Sequence, residues 1–257
     1  MINRSISFRA LVAPLAASIA IAIPAVAQDG AAPAAPAAPA QAPAPAPAPS
    51  AAGVVFVRIS TSKGDMLLEL DAVKAPISVD NFMKYVKAGF YDGTVVHRIV
   101  PGFVVQGGGF DQAMVQKQTN PAIKNEWKNG LKNGRGTISM ARLPSPDTAT
   151  SQFFLNLKDN PALDGANGPG YAVFGKIVVG LDVLDAMGAS PTTSKEVTDQ
   201  AGRKQVFSDV PVEAIVMTKA VELDAASAAS MIEAAKAKPA APAAPAAPAG
   251  DMPAQPK

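Results

Sequence analysis

The 257-residue chain has no cysteine and a single histidine, His97. Without thiols there is no disulfide scaffold, no thiolate zinc site, no cysteine nucleophile and no lipid-modified N-terminal cysteine. One imidazole cannot form the cluster a metal needs, so neither a metal nor another cofactor is expected. Charge is scarce as well. Charged residues make up 17%, and 23 basic against 21 acidic side chains leave a net +2. No strong field directs such a chain to nucleic acid or an anionic membrane. No glycine-rich phosphate loop opens a helix, and no pair of carboxylates converges, so nucleotide binding and glycosidase chemistry have no support.

Proline is abundant, with 24 residues, but unevenly placed: nine lie between Gly53 and Ala220 and fifteen in the flanks. Aromatic residues show the opposite distribution, all but Phe8 falling between Gly53 and Ala220. Because aromatics dominate core burial, the folded unit is expected over 53–220. Residues 1–27 have the form of a secretory signal peptide: Arg4 and Arg9, an apolar run from Ala10 to Ile23, and Ala25-Val26-Ala27 before the cleavage point. The run is shorter than the roughly 20 residues of a membrane span, so cleavage before Gln28 and no remaining span are expected. The product is then exported, most simply to a bacterial periplasm. Residues 28–52 and 239–257 are Ala-Pro repeats, which read as polyproline II or disordered tethers. Between the domain and the tail, 221–238 is alanine-rich and predicts a helix.

Within the central region, short β-branched runs alternate with turn residues. Strands are predicted at Val54–Ser60, Met66–Leu70, Thr94–Val100, Val104–Gly108, Thr137–Ala141, Gln152–Leu157, Tyr171–Val178 and Val212–Lys219. One helix is read after Ser78 as its N-cap, with Val79, Phe82, Met83 and Val86 on one face and Gly89 as its stop. A second runs from Leu181 to Met187 and stops at Gly188. Many short strands with two helices predict an all-β domain, a closed barrel with helical plugs.

The segment VVHRIVPGFVVQGGGF, Val95–Phe110, is the most informative. A two-residue Pro101-Gly102 loop would need positive φ at its first position, which L-proline cannot adopt, and would pair His97 with Gln106. A three-residue loop, Pro101-Gly102-Phe103, instead sets Val100 opposite Val104 and Arg98 opposite Gln106. Strict alternation then puts Val96, Arg98, Val100, Val104, Gln106 and Gly108 on one face, with Val95, His97 and Ile99 on the other. An arginine and a glutamine side by side among apolar residues suit a peptide. The glycines at 107–109 allow close approach of another backbone. His97 reads as a packed barrel residue rather than a base, and Trp127 as a packing residue.

HRIVPGFVVQGGGF, GTISMAR, ATSQFFLNL and YAVFGK, in this order, closely resemble the cyclophilin family of peptidyl-prolyl isomerases, in the style of its exported bacterial members. The resemblance spans about Phe56 to Val216. It implies an eight-stranded antiparallel barrel closed by two α-helices, acting on proline-containing polypeptides without a cofactor. Nothing in the sequence suggests an obligate interface, so a monomer is expected. It places the family's arginine at Arg98, its pocket phenylalanine at Phe103 and its glutamine at Gln106. The groove alanine falls at Ala141, the second glutamine at Gln152, the second phenylalanine at Phe154 and the leucine at Leu163. Three positions depart from the best-known pattern. Val104 replaces a frequent methionine, and Tyr171 a histidine of eukaryotic members. Ala162 stands where Trp or Phe is usual, which removes a large contact surface and predicts weak binding of the drug cyclosporin.

Rotation about X-Pro costs about 18–20 kcal/mol because it breaks amide resonance, and uncatalysed exchange takes tens to hundreds of seconds. No proton need move, so the scarcity of titratable groups is no obstacle. The resemblance implies Arg98 as donor to the nitrogen side, and Phe103, Val104, Phe154 and Leu163 as the proline pocket with Tyr171 at its rim. Gln106 would orient the guanidinium, and Ala141 and Arg142 would carry substrate backbone. The alternatives are a peptide-binding chaperone or scaffold with little catalysis, and an envelope protein whose flanks are the active parts.

Overall fold

A computed structural model describes residues 53–166, 168–198 and 204–237. The expected signal peptide, the Ala-Pro linker and the tail lie outside these residues. Eight strands close into an antiparallel barrel. They are β1 (Val54–Thr61), β2 (Gly64–Asp71), β3 (Thr94–Val100), β4 (Val104–Asp111), β5 (Thr137–Met140), β6 (Phe153–Asn156), β7 (Val173–Val179) and β10 (Ile215–Leu223). Around the barrel the order is β1-β10-β3-β4-β6-β5-β7-β2. Closure removes the unpaired edges that an open sheet would expose.

The interior is filled by alternate side chains of these strands, including Val57, Ile59, Leu68, Leu70, Ile99, Val105, Ile138 and Phe174. Two helices plug it. Helix α1 (Pro76–Lys87) inserts Val79, Phe82, Met83 and Val86, and α2 (Leu181–Gly188) inserts Leu184 and Met187. Phe82 meets the rings of Tyr91, Phe153 and Phe174 at 5.1, 5.6 and 5.3 Å.

The helix ends differ from the sequence reading. Helix α1 starts at Pro76, where a missing N–H costs nothing, and Ser78 lies within its first turn rather than at the N-cap. The open N–H groups are capped from a distance: the Glu126 carboxylate accepts from Ile77 N–H (3.0 Å), Ser78 N–H (2.8 Å) and the Ser78 hydroxyl (2.7 Å). Gly89 does end the helix, at φ 63°, with Gly89 N–H on the Val86 carbonyl and Phe90 N–H on that of Tyr85, the Schellman pattern.

Two strands were absent from the sequence reading: β8 (Thr192–Thr198) and β9 (Lys204–Pro211), a separate two-stranded sheet. Their largely polar runs lack a long apolar alternation. The final barrel strand begins at Ile215 rather than Val212 and continues to Leu223, pairing Val221 with Arg58 and Leu223 with Phe56. The alanine-rich helix α3 therefore spans Ala225–Ala237, starting after Asp224, whose carboxylate accepts from Ser227 N–H at 2.8 Å.

The β3–β4 hairpin has the three-residue loop. Phe103 N–H bonds the Val100 carbonyl at 2.9 Å and Gly102 takes φ 66°, the type II arrangement that Pro-Gly favours. Val100 faces Val104 and Arg98 faces Gln106. Further along, the alternation fails. Val96 pairs with Gly107 and Arg98 with Gln106, so His97 is an extra residue, a β-bulge. Val96 and Ile99 both enter the barrel core. Val95 joins an outer apolar cluster with Phe110, Met114 and Val210, and the His97 ring packs on Phe110 at 4.7 Å. The expected grouping of Val96 with Arg98 and of His97 with Ile99 is thus corrected by one residue of bulge.

His97 is 5% exposed and its Nδ1 has no hydrogen-bond partner. Burial, reinforced by the Arg98 charge, lowers its pKa from 6.5 to about 4. The unfolded chain takes up this proton near 6.5 and the folded chain only near 4, so stability is full above 6.5 and falls as the pH drops through that interval. The loss is on the order of 3 kcal/mol. Urea unfolding at pH 7 and pH 4.5 is expected to give a large difference for the natural chain and a much smaller one for His97→Leu. Equal differences would contradict the assignment.

Candidate active site

On the outside of the barrel, Val104, Ala141 and Phe154 form an apolar cluster separate from the main core, with Phe103, Leu163 and Tyr171 packed against it. Strand alternation explains the separation. In β6, Phe153 and Leu155 point into the core while Phe154 between them points outward, opposite Gln106. Phe154 and Tyr171 meet edge to face at 5.4 Å. Arg98, Gln106 and Arg142 join these six residues around a hollow of about 110 Å³. Of the ten residues nominated from the sequence, nine line this one hollow. The tenth, Gln152, reaches it through Gln106, whose Nε2 donates to its Oε1 at 3.1 Å. Gly109 permits this: a Cβ there would lie 2.5 Å from Gln152 Cγ. The glycine run thus makes room for side chains as well as backbone.

Two of these side chains make contacts that bear on the roles the resemblance implies. Gln106 is turned to Gln152 and makes no hydrogen bond to Arg98. The guanidinium instead has Asp209 beside it, with Nε 3.6 Å from Oδ2. Arg142 is engaged with its own loops. It donates to the carbonyls of Gly170 (3.3 Å), Leu143 (2.9 Å), Pro144 (3.0 Å) and Pro169, and stacks over Tyr171 at 4.5 Å. It therefore shapes the wall of the hollow. Ala162 is exposed on the short 3₁₀ turn Pro161–Asp164 that carries Leu163.

Below the hollow lies a buried polar network that the sequence did not announce. Asn160 Nδ2 donates to the Phe103 carbonyl (3.1 Å) and to Asn156 Oδ1 (2.8 Å). Asn156 Nδ2 donates to Thr137 Oγ1 (2.9 Å) and Asn133 Oδ1 (3.3 Å), and the Ser139 hydroxyl to the same Asn133 oxygen (2.7 Å). Asn133 N–H and Nδ2 in turn donate to Asp164. These bonds fix Phe103 and the turn bearing Leu163 to the barrel wall. Asn-Pro at 160–161 reads from sequence only as a turn. Trp127 is half-buried beside Gly165, with Lys128 over its ring at 5.1 Å, away from the hollow. No cluster of His, Asp and Glu able to hold a metal occurs among the described residues.

The chain matches the family described as cyclophilin type peptidyl-prolyl cis-trans isomerase/CLD over residues 56–219. It belongs to the cyclophilins. Peptidyl-prolyl cis-trans isomerase A of Dickeya dadantii (strain 3937) is 52% identical over 165 residues, which are 64% of this chain and 82% of that protein. Peptidyl-prolyl cis-trans isomerase B of Escherichia coli (strain K12) is 42% identical over 165 residues, 63% of this chain and 95% of that one. Among solved structures, the Cryptosporidium parvum cyclophilin type isomerase crystallised in the presence of the dipeptide Ala-Pro superposes with a TM-score of 0.53 at 27% identity. It covers 66% of this chain and 99% of its own. The cyclophilin described here is accordingly a peptidyl-prolyl cis-trans isomerase, and its family region ends within strand β10, before α3.

Asn160→Ala would leave Asn156 Oδ1 short of a donor in a buried site and release one tether of Phe103. A destabilisation of about 1–3 kcal/mol is expected, together with a raised KM for a proline peptide. Urea unfolding and isomerase kinetics that both match the natural chain would rule out this supporting role.

Proposed function

We propose that this cyclophilin accelerates X-Pro rotation by seating the proline ring in the hollow over Phe103, Val104, Phe154 and Leu163 while Arg98 donates to the amide nitrogen side. As the bond twists, the nitrogen gains a localised lone pair and the carbonyl loses its dipolar form. A fixed donor that meets the lone pair better than it meets the planar amide lowers the barrier. Apolar walls remove competing water, which strengthens that contact.

The observation that carries this reading is the contrast between the two arginines at the hollow. Arg142 spends its donors on four backbone carbonyls. The Arg98 side chain makes no hydrogen bond to the protein among the described residues and has only the ion pair at 3.6 Å, being 41% exposed. An arginine side chain stays cationic and presents a flat fork, so Arg98 is the cation available to a substrate. The departures at Val104 and Ala162 would suit a scaffold with little catalysis, but Val104 is 3% exposed and still part of the apolar cluster.

The proposal extends to location. The n-region, apolar run and Ala25-Val26-Ala27 site support export and cleavage, and the client chains would then be unfolded or extended polypeptides in a bacterial periplasm. The Ala-Pro segments would serve as tethers for a monomeric domain.

Arg98→Ala is expected to lose about 2–3 kcal/mol of transition-state stabilisation, roughly 100-fold in kcat/KM, with the fold retained. A protease-coupled proline-peptide assay measures it, and a wild-type rate would refute the role of Arg98. For location, mass spectrometry of the periplasmic fraction is expected to find a mature chain starting at Gln28. A chain retained in the cytoplasm with Met1 attached would refute export.

A further inference from the structure

Two β-bulges meet beside the hollow. One is the bulge at His97, after which Arg98 turns outward. The other is in β9: between the pairs Thr193↔Val210 and Lys195↔Phe207, that strand has one residue more than β8. Asp209 lies in this second bulge with φ 61°, one of two non-glycine residues with positive φ among those described. Short polar side chains adopt that conformation more readily than others, and the surrounding structure holds it there. Val210, the next residue, is buried in the outer apolar cluster with Val95, Phe110 and Met114, and the Phe110 and Phe207 rings meet edge to face at 5.2 Å. The small sheet is thus seated on the barrel beside β3, and the seat delivers the Asp209 carboxylate to Arg98 Nε at 3.6 Å.

We propose that Asp209 is a positioning residue for Arg98, resting on the reading of Arg98 given above. The contact is made at Nε, the neck of the fork. It restrains the direction of the guanidinium while the fork makes no hydrogen bond elsewhere in the described protein. Half-exposed pairs of this kind contribute little to stability. The consequence is therefore expected in the reaction and not in folding. Gln106, the residue expected to orient the arginine, gives its Nε2 to Gln152 and makes no hydrogen bond to Arg98. Asp209 takes over that task from an element outside the barrel.

Asp209→Asn tests this with little disturbance, because asparagine tolerates positive φ and has the same shape. The urea midpoint is expected to stay unchanged. The kcat/KM for a proline peptide is expected to fall about fivefold, through kcat, with KM within about twofold. In an Arg98→Ala background the same substitution is expected to have no further effect, since the carboxylate then has nothing to orient. An unchanged or raised kcat/KM for Asp209→Asn would overturn the proposal, and so would an equal loss in the Arg98→Ala background. If Arg98→Ala alone keeps the natural rate, the reading of Arg98 fails and this proposal with it. If Arg98→Ala loses rate and Asp209→Asn does not, only the role of Asp209 fails.

Discussion

Between Val96 and Arg98, strand β3 carries one residue more than its partner, and the direction of the guanidinium follows from that. Val96 belongs to the barrel core. Unbroken alternation would send Arg98 into the same core, among Ile59, Met66 and Leu155, where an unpaired cation costs several kcal/mol. The bulge at His97 allows Val96 and Ile99 both to face inward and leaves Arg98 on the outer wall. His97 bears the cost. It is held neutral in an apolar seat with one ring nitrogen unsatisfied. The geometry of the proposed chemistry thus depends on a local irregularity that the rest of the barrel stabilises.

The site is spare because the reaction is. Rotation about an amide needs neither acid, base nor covalent intermediate, and the proposed mechanism draws on none. It provides rings held by edge-to-face contact, a wall braced by Arg142, and a floor tied down by a chain of asparagines. In the proposed mechanism rigid placement matters more than reactivity, since a donor counts only to the extent that it fits the twisted state better than the planar one. The buried network below Phe103 and the seat of the β8–β9 sheet are both ways of holding such a geometry.

The parts of this arrangement that are encoded locally could be read from the sequence. Pro101-Gly102 dictates its own turn, and the turn fixes Arg98 opposite Gln106. The apolar face of α1 follows from the spacing of Val79, Phe82, Met83 and Val86. Phe153 and Phe154 are adjacent, and alternation alone sends one inward and the other to the hollow. What was not legible depends on distant partners. No residue type marks a bulge at His97. The cap of α1 comes from Glu126, far along the chain, so Ser78 looked like the cap itself. Asp209 sits in a polar run with no apolar period, and only the packing of Val210 and Phe207 brings it to Arg98. The four motifs resembling the cyclophilins named residues that the fold brings to one hollow, and the contacts of Gln106 and Arg142 there could be seen only in the structure.

The central claim is that the positive charge at position 98, and not merely its bulk, speeds the rotation. Semisynthetic replacement of Arg98 by citrulline keeps the length and planarity of the side chain and removes the charge. Exchange spectroscopy of a proline peptide at saturating enzyme then measures cis–trans interconversion directly, with peptide affinity from the same titration. Interconversion is expected to slow by about two orders of magnitude with affinity little changed. Interconversion at the natural rate on the neutral side chain would contradict it.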